Sequence, residues 1–158
     1  MALSGVPEDA SEVRIRDMYL TDLDRIVEIE ARSFPTAWSR NAFQSELIEN
    51  TFATYLVLDF HGTVVAYGGM WIILDEAHVT NVAVHPDFRG HHLGEAMMIG
   101  LMGRGKQLGA CRITLEVRRG NAVAINLYQK LGFVQLGVRR GYYTDTREDA
   151  LIMWKDPL

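Results

Sequence analysis

The chain has 158 residues, of which 48% are hydrophobic and 23% are charged, and its 16 basic and 20 acidic side chains give a net charge of −4. This length and apolar fraction indicate one globular domain and exclude a wholly disordered chain. No apolar run is long enough to span a bilayer as a helix, residues 1–12 lack the apolar core of a secretory signal, and the single cysteine excludes a disulfide framework. We therefore expect a soluble cytoplasmic protein.

The first half of the chain contains alternating strand and helix patterns. Val13–Arg16 alternates in polarity and predicts a strand. Thr21 or Asp22 precedes apolar residues at helical spacing, which predicts a capped helix that ends at a proline-containing segment. Ser39 predicts the cap of a second helix running to about Glu49. Three strands with intervening turns at His61-Gly62 and Asp75-Glu76 are predicted next: Thr54–Asp59, Thr63–Leu74 and His78–Val84.

The second half predicts a helix, a strand, a helix and two strands: Leu93–Leu108, Arg112–Arg118, Ala122–Leu131, Phe133–Val138 and Asp149–Lys155. The order β-α-α-β-β-β-α-β-α-β-β indicates an α/β fold with a mixed sheet and a helical crossover after His85. No repeat or linker interrupts this pattern. We expect a loose segment over residues 1–12 and a single domain over residues 13–158.

Charge is unevenly distributed along the chain. Residues 1–84 carry 5 basic and 13 acidic side chains, whereas residues 85–158 carry 11 basic and 7 acidic ones. Unequal sampling of a solvated surface explains such a split without any ligand. Alternatively, the two halves bind ligands of opposite charge, the acidic half attracting a cation and the basic half an anion.

The segment Val82–Ala96 runs from an apolar strand through a Pro-Asp turn and a basic loop into a helix. Free N–H groups at a helix start, together with the helix dipole, favour phosphate binding. The spacing matches neither a P-loop nor a dinucleotide-binding fingerprint. Its histidines lack a carboxylate or cysteine at ligand spacing, so no metal is expected. The loop offers five residues for close approach or hydrogen bonding to an anion: Arg89, Gly90, His91, His92 and Gly94.

Glu116 and Tyr128 are the candidate catalytic residues. Glu116 lies within an alternating strand, on the face opposite Ile113, Leu115 and Val117. A carboxylate and a phenol that meet in one cleft provide a general base and a general acid. In the alternative interpretation Glu116 is a surface residue paired with a neighbour on its own strand, namely Arg112, Thr114 or Arg118.

Asn121 is placed to cap the helix that follows this strand, and Tyr128 lies seven residues further on, on the same helix face. Leu127 and Leu131 mark an adjoining apolar stripe that is expected to pack on the sheet. Cys111 is expected to be a small buried residue and not a nucleophile, because no histidine is placed beside it.

Four segments together resemble the GCN5-related N-acetyltransferases: Val82–Ala96, Leu115–Arg118, Asn121–Ile125 and Leu127–Phe133. The segments Arg139–Tyr143 and Arg147–Met153 are similar to the end of the branch that acetylates the N-terminal alanine of ribosomal proteins. The resemblance extends over nearly the whole chain from Val13 and is most specific in the second half.

The resemblance implies acetyl-CoA as the acetyl donor. Backbone groups of Val82, Ala83 and Val84 would hold its pantetheine arm, with Asn121 contacting the same arm. The resemblance also implies that Glu116 deprotonates the incoming amine, through water, and that Tyr128 protonates the departing thiolate. The pyrophosphate would be wrapped by Arg89, Gly90, His91, His92, Leu93, Gly94 and Glu95. The peptide N-terminus would be bound by Phe34, Trp38, Tyr142 and Tyr143.

The expected activity is thus acetylation of the N-terminal amine, on alanine, of a small-subunit ribosomal protein, without direct nucleic-acid or membrane contact. Backbone N–H groups near Val82 are the expected oxyanion donors. The alternatives are acetylation of lysine or of a small amine by the same residues, and an acyl-CoA sensor that catalyses nothing. In this sequence His92 occupies a position where the family usually has glycine. We expect its backbone to be helical already, so that histidine costs nothing there.

Overall fold

A computed structural model describes residues 10–158, and within this range the predicted order of strands and helices is confirmed. The strands are β1 (Arg14–Asp17), β2 (Ala53–Phe60), β3 (Thr63–Ile73), β4 (Glu76–Val84), β5 (Arg112–Arg118), β6 (Val134–Arg139) and β7 (Ala150–Lys155). The helices are α1 (Leu23–Ser33), α2 (Arg40–Ile48), α3 (Leu93–Gln107) and α4 (Ala122–Lys130). No helix in the described range is long and apolar enough to cross a membrane.

The loose segment predicted for residues 1–12 lies mostly outside the described residues, and Ala10–Glu12 of it forms a short 3-10 helix. The turn predicted at Asp75-Glu76 lies one residue earlier, at Leu74-Asp75. Leu74 adopts a positive φ of 56°, and Glu76 already belongs to β4.

The strands of the described range form one sheet in the order β1-β2-β3-β4-β5-β7-β6. Neighbouring strands are antiparallel except β4 and β5, which α3 connects as a parallel pair. Alternation along β2 sends Tyr55 and Val57 to the face covered by α1 and α2, and Leu56 and Leu58 to the face covered by α3. The sheet is therefore buried on both faces.

Helix ends follow the predicted caps in two of three places. Ser39 accepts a hydrogen bond from the backbone N–H of Ala42, and Asn121 accepts one from Ala124, as expected for N-caps. Asp22 precedes α1 but makes no side-chain cap to that helix. Its carboxylate instead pairs with Arg16, which explains why the predicted cap is absent.

One glycine of α3 has a clear packing role. A Cβ at Gly100 would overlap the side chain of Ile15, so the absence of a side chain allows β1 to approach α3 closely. The helix-propensity cost of glycine at this position, about 1 kcal/mol against alanine, is offset by that contact.

The parallel pair separates partway along its length. Pairing of β4 with β5 runs only from Glu76↔Arg112 to His78↔Thr114. Just beyond, the register of β3 with β4 shifts and leaves Thr80 as an extra residue on β4. A bulge of this kind bends its strand, and the two strands diverge after it. Their ends, residues 79–82 and 115–118, enclose a cleft.

Candidate active site

The cleft between the diverging ends of β4 and β5 has a volume of about 260 Å³. Side chains from both faces of the sheet reach it, since it opens where the sheet is interrupted. It is lined by Glu30, Phe34, Thr36, Trp38, Val79, Thr80, Asn81, Val82, Leu115, Glu116, Val117, Arg118, Asn121, Tyr128 and Tyr143. Both candidate catalytic residues are thus brought to one cleft, as the sequence predicted.

Glu116 lies on β5 with its side chain 13% exposed, while its neighbours Leu115 and Val117 are buried in the core. Its carboxylate does not pair with Arg112, Thr114 or Arg118, as the alternative interpretation required. It pairs with His78 of β4, whose Nε2 lies 2.7 Å from Glu116 Oε2.

This pairing decides the protonation of the Glu116 carboxyl group. The hydrogen bond from His78 lowers the pKa of Glu116 below its ordinary value, and this effect outweighs the opposing effect of burial. Glu116 is therefore a carboxylate throughout the neutral pH range and is able to accept a proton.

Tyr128 projects from α4 into the cleft and packs its ring against Phe133, with centroids 5.8 Å apart. Burial raises its pKa to about 12, because a phenolate would be poorly solvated there. The phenol thus keeps its proton at neutral pH and is able to donate it. On the same helix Ile125 and Leu131 pack against the core, whereas Leu127, predicted for that stripe, faces Gly94 of α3.

The loop before α3 presents backbone donors without a side-chain cap. His92 is the N-cap residue of α3 and makes no side-chain hydrogen bond to the helix. The first backbone bond of the helix runs from Ala96 N–H to His92 O. The N–H groups of the first helical turn, which begins at Leu93, are therefore directed at the loop, an arrangement that favours an anion.

The expectation that the His92 backbone is helical was wrong. His92 has φ 61° and ψ 23°, the left-handed region that glycine adopts without strain. Gly90 also has a positive φ, of 85°, and a side chain added there would meet nothing within 4 Å. The loop therefore turns through two left-handed residues, one of which is histidine.

Replacing His92 with glycine is expected to raise the free energy of unfolding by about 0.5–1 kcal/mol. Relief of left-handed strain of about 1–2 kcal/mol exceeds the extra chain entropy that glycine loses on folding. Urea unfolding measures the change. His91→Gly is the matched control, because His91 is not among the positive-φ residues of the described range. His91→Gly should lower the free energy of unfolding by about 0.5–1 kcal/mol, because it only adds chain entropy to be lost on folding. A change of the same sign in both variants would contradict the strain argument.

The remaining residues of the predicted CoA site divide into three groups. Leu93 and Ala83 are buried in the two cores, so only their backbone groups face outward. Arg89 and Glu95 are held by neighbours: Arg89 Nε donates to Val84 O, and Glu95 pairs with Lys130 at 2.9 Å. His91 and the His92 side chain lie at the surface of the loop.

Three of the four predicted peptide-binding residues line the cleft: Phe34, Trp38 and Tyr143. Tyr142 is 46% exposed and lies outside the cleft lining, with its ring set edge-to-face against Tyr143 at 5.1 Å. Its position beside Tyr143 is consistent with a place at the rim. Arg118 holds Tyr143 from behind, with its guanidinium 4.0 Å from the ring centre.

Glu30 is a cleft residue that sequence reasoning missed. It is 3% exposed, and its Oε2 accepts a hydrogen bond from the backbone N–H of Trp38 at 2.9 Å. Its Oε1 accepts one from the hydroxyl of Tyr67. This carboxylate fixes the loop between α1 and α2. No local signal marks it, because in the sequence it is one more acidic residue on an amphipathic helix.

Cys111 is exposed and lies before β5, contrary to the expectation of a buried residue. His85 is one of the histidines of the segment Val82–Ala96 that were considered as metal ligands. It is buried, and its Nδ1 accepts a hydrogen bond from the backbone N–H of Asp87. Within residues 10–158, no group of three His, Cys, Asp or Glu side chains is arranged as metal ligands.

In this sheet the parallel strands β4 and β5 diverge beside the uncapped start of α3, which agrees with the class of fold that the sequence resembles. The chain belongs to the Acetyltransferase (GNAT) family, whose model matches residues 23–133. A relative from Bacillus subtilis (strain 168) is 44% identical over 144 residues, covering 91% of this chain and 95% of the relative.

The ribosomal protein bS18-alanine N-acetyltransferase of Escherichia coli (strain K12) is 38% identical over 141 residues, covering 88% of this chain and 94% of the relative. The crystal structure of the ribosomal-protein-S18-alanine N-acetyltransferase from Escherichia coli matches with a TM-score of 0.84 and 36% identity. That match covers 92% of this chain and 94% of the crystallised one. The chain is thus an N-acetyltransferase, which removes the non-catalytic sensor as an alternative.

Proposed function

We propose that this enzyme transfers the acetyl group of acetyl-CoA to the N-terminal α-amine of alanine on ribosomal protein bS18. The observation that carries the proposal is the pairing, in one cleft, of an ionised carboxylate on β5 with a protonated buried phenol on α4. The substrate comes from the activity that the E. coli relative's name gives, at 38% identity over nearly the whole chain. Action on a ribosomal protein would place the enzyme in the cytoplasm.

The chain's own residues fit the donor. The uncapped first turn of α3 and the open space beside Gly90 suit a pyrophosphate, because backbone N–H groups approach it without a side chain intervening. Beyond His78 the edge of β4 facing β5 has no strand partner, so the backbone groups of residues 82–84 on that edge are available to amide groups of an extended arm, apart from Val84 O, which accepts from Arg89. Asn121 uses Oδ1 for its cap, which leaves Nδ2 as a donor.

Glu116 is proposed as the base. The amine nitrogen attacks the thioester carbonyl carbon, and the proton lost from nitrogen passes, through water, to the Glu116 carboxylate. Positioned proton transfer of this kind contributes about 10²–10⁴ in rate. Backbone N–H groups of the splayed strand near Val82 are proposed to stabilise the charge that develops on the carbonyl oxygen.

Acid–base chemistry favours an α-amine over lysine as the acceptor. An α-amino group has a pKa of about 7.7–8.0, and a lysine side chain one of about 10.4. At pH 7.5 roughly a third of α-amines are neutral, but only roughly 0.1% of lysines are. A carboxylate whose pKa lies below its usual range is a weak base, and it suits the acceptor that needs less help.

Tyr128 is proposed to donate its proton toward the sulfur as the C–S bond breaks. Its phenol remains protonated because burial raises its pKa to about 12. The acceptor peptide is proposed to lie between the Phe34–Trp38 loop and Tyr143, which line the cleft across from Tyr128. This arrangement needs no covalent intermediate on the enzyme.

Incubation with acetyl-CoA and an alanine-first peptide with the N-terminal sequence of bS18 tests the proposal. We expect one acetyl group on the peptide α-amine by mass spectrometry, and none on a copy whose N-terminus is blocked. A peptide with internal lysines and a blocked N-terminus separates the lysine alternative. Equal labelling of free and blocked peptides would exclude the α-amine as the acceptor.

A further inference from the structure

His78 sits at the point where β4 and β5 part. It is the last residue of the parallel ladder, opposite Thr114, and its side chain reaches Glu116 two residues further along β5. The distance from His78 Nε2 to Glu116 Oε2 is 2.7 Å. A carboxylate can only accept hydrogen bonds, so the shared proton belongs to Nε2 of the imidazole.

His78 is the more exposed member of this pair. The His78 side chain is 38% exposed, whereas that of Glu116 is 13% exposed. The charged and titratable groups facing the pair are Arg139 of β6, whose guanidinium is 3.9 Å from Glu116 Oε1, and Tyr143 above the cleft. From β3 the neighbour is Trp71, edge-on to the imidazole at 6.3 Å.

We propose that His78 is a positioning residue that holds one oxygen of the Glu116 carboxylate and directs the other toward the acceptor amine. The inference rests on the proposed function, because it needs Glu116 to act as the base. This contact between His78 and Glu116 is not evident from the sequence, where the two residues are 38 positions apart.

The activity of His78→Gln toward the alanine-first peptide tests the inference. The side-chain amide of glutamine can still donate a hydrogen bond to Glu116. The kcat of His78→Gln should therefore stay within about threefold of the wild type.

His78→Leu separates positioning from mere packing, because it fills the space and removes the donor. We expect its kcat to fall about tenfold or more with KM for acetyl-CoA unchanged, and His78→Gln to rescue it. Far-UV circular dichroism and the KM for acetyl-CoA check that both variants are folded. His61→Asn is the matched control, since His61 lies in an exposed hairpin where asparagine tolerates the positive φ of 51°. It should keep the wild-type kcat.

The outcomes are distinguishable from failure of the proposed function. If the wild type acetylates no α-amine at any pH, the proposed function fails. If the wild type is active and His78→Leu keeps the wild-type kcat, or His78→Gln loses kcat as fully as His78→Leu, the role of His78 is overturned.

Discussion

Glu116→Gln is expected to lower kcat/KM for the alanine-first peptide by about 10²–10⁴, with KM for acetyl-CoA unchanged. Glutamine keeps the size of the side chain and can still accept the hydrogen bond from His78, but it cannot take up a proton. The loss should lie mainly in kcat, because proton removal from the amine accompanies attack. Initial rates of thiol release at saturating acetyl-CoA measure it.

Glu49→Gln is the matched control, since Glu49 is exposed at the end of α2 and does not line the cleft, and it should retain full activity. A loss of less than about threefold at pH 7.5 would mean that Glu116 is not the base.

The pH profile of the enzyme should contain no ionisation of Glu116 near neutral pH. Because the pKa of Glu116 lies below its ordinary value, its ionised form persists as the pH falls through the neutral range. Its own protonation therefore reduces activity only in strongly acidic solution. An ionisation near neutral pH belongs instead to the peptide amine.

The fold was predictable because each element carries its own local signal. Strict alternation in β5 and helical spacing in α1 mark the elements that bury one face. Ser39 and Asn121 mark helix starts by a chemistry confined to three residues. Asp22 failed as a cap for a non-local reason. The salt bridge to Arg16 across the preceding turn takes up the carboxylate that the local pattern assigned to the helix.

The sequence predicted individual residues of the site but not the contacts between them. Alternation placed Glu116 away from the core, but its partner depends on the register that brings His78 opposite Thr114, which no short window contains. Glu30 joins Trp38 and Tyr67 through contacts between three separate elements. His92 shows the converse, a backbone conformation set by the turn into α3 although its side chain disfavours it.

Tyr128→Phe is expected to lower kcat by about 10²-fold, near the low end of the range for proton-transfer catalysis. The pKa of the Tyr128 phenol is about 12, whereas that of a thiol is about 8.5. Complete proton transfer from the phenol to the sulfur is therefore unfavourable by roughly 3.5 pKa units. The larger contribution is then a hydrogen bond that strengthens as charge develops on sulfur. Phenylalanine keeps the packing against Phe133, and stability should change little.

Both roles of Tyr128 require the protonated phenol. A hydrogen-bond donor with a pKa of about 12 stays intact in alkaline solution, so wild-type kcat should show no decline up to about pH 10, and the Tyr128→Phe profile should run parallel below it. Tyr19→Phe, at an exposed tyrosine before α1, is the control and should match the wild type. A kcat for Tyr128→Phe within about threefold of the wild type would mean that the departing sulfur receives its proton or hydrogen bond from solvent. Tyr128 would then have no role in the mechanism.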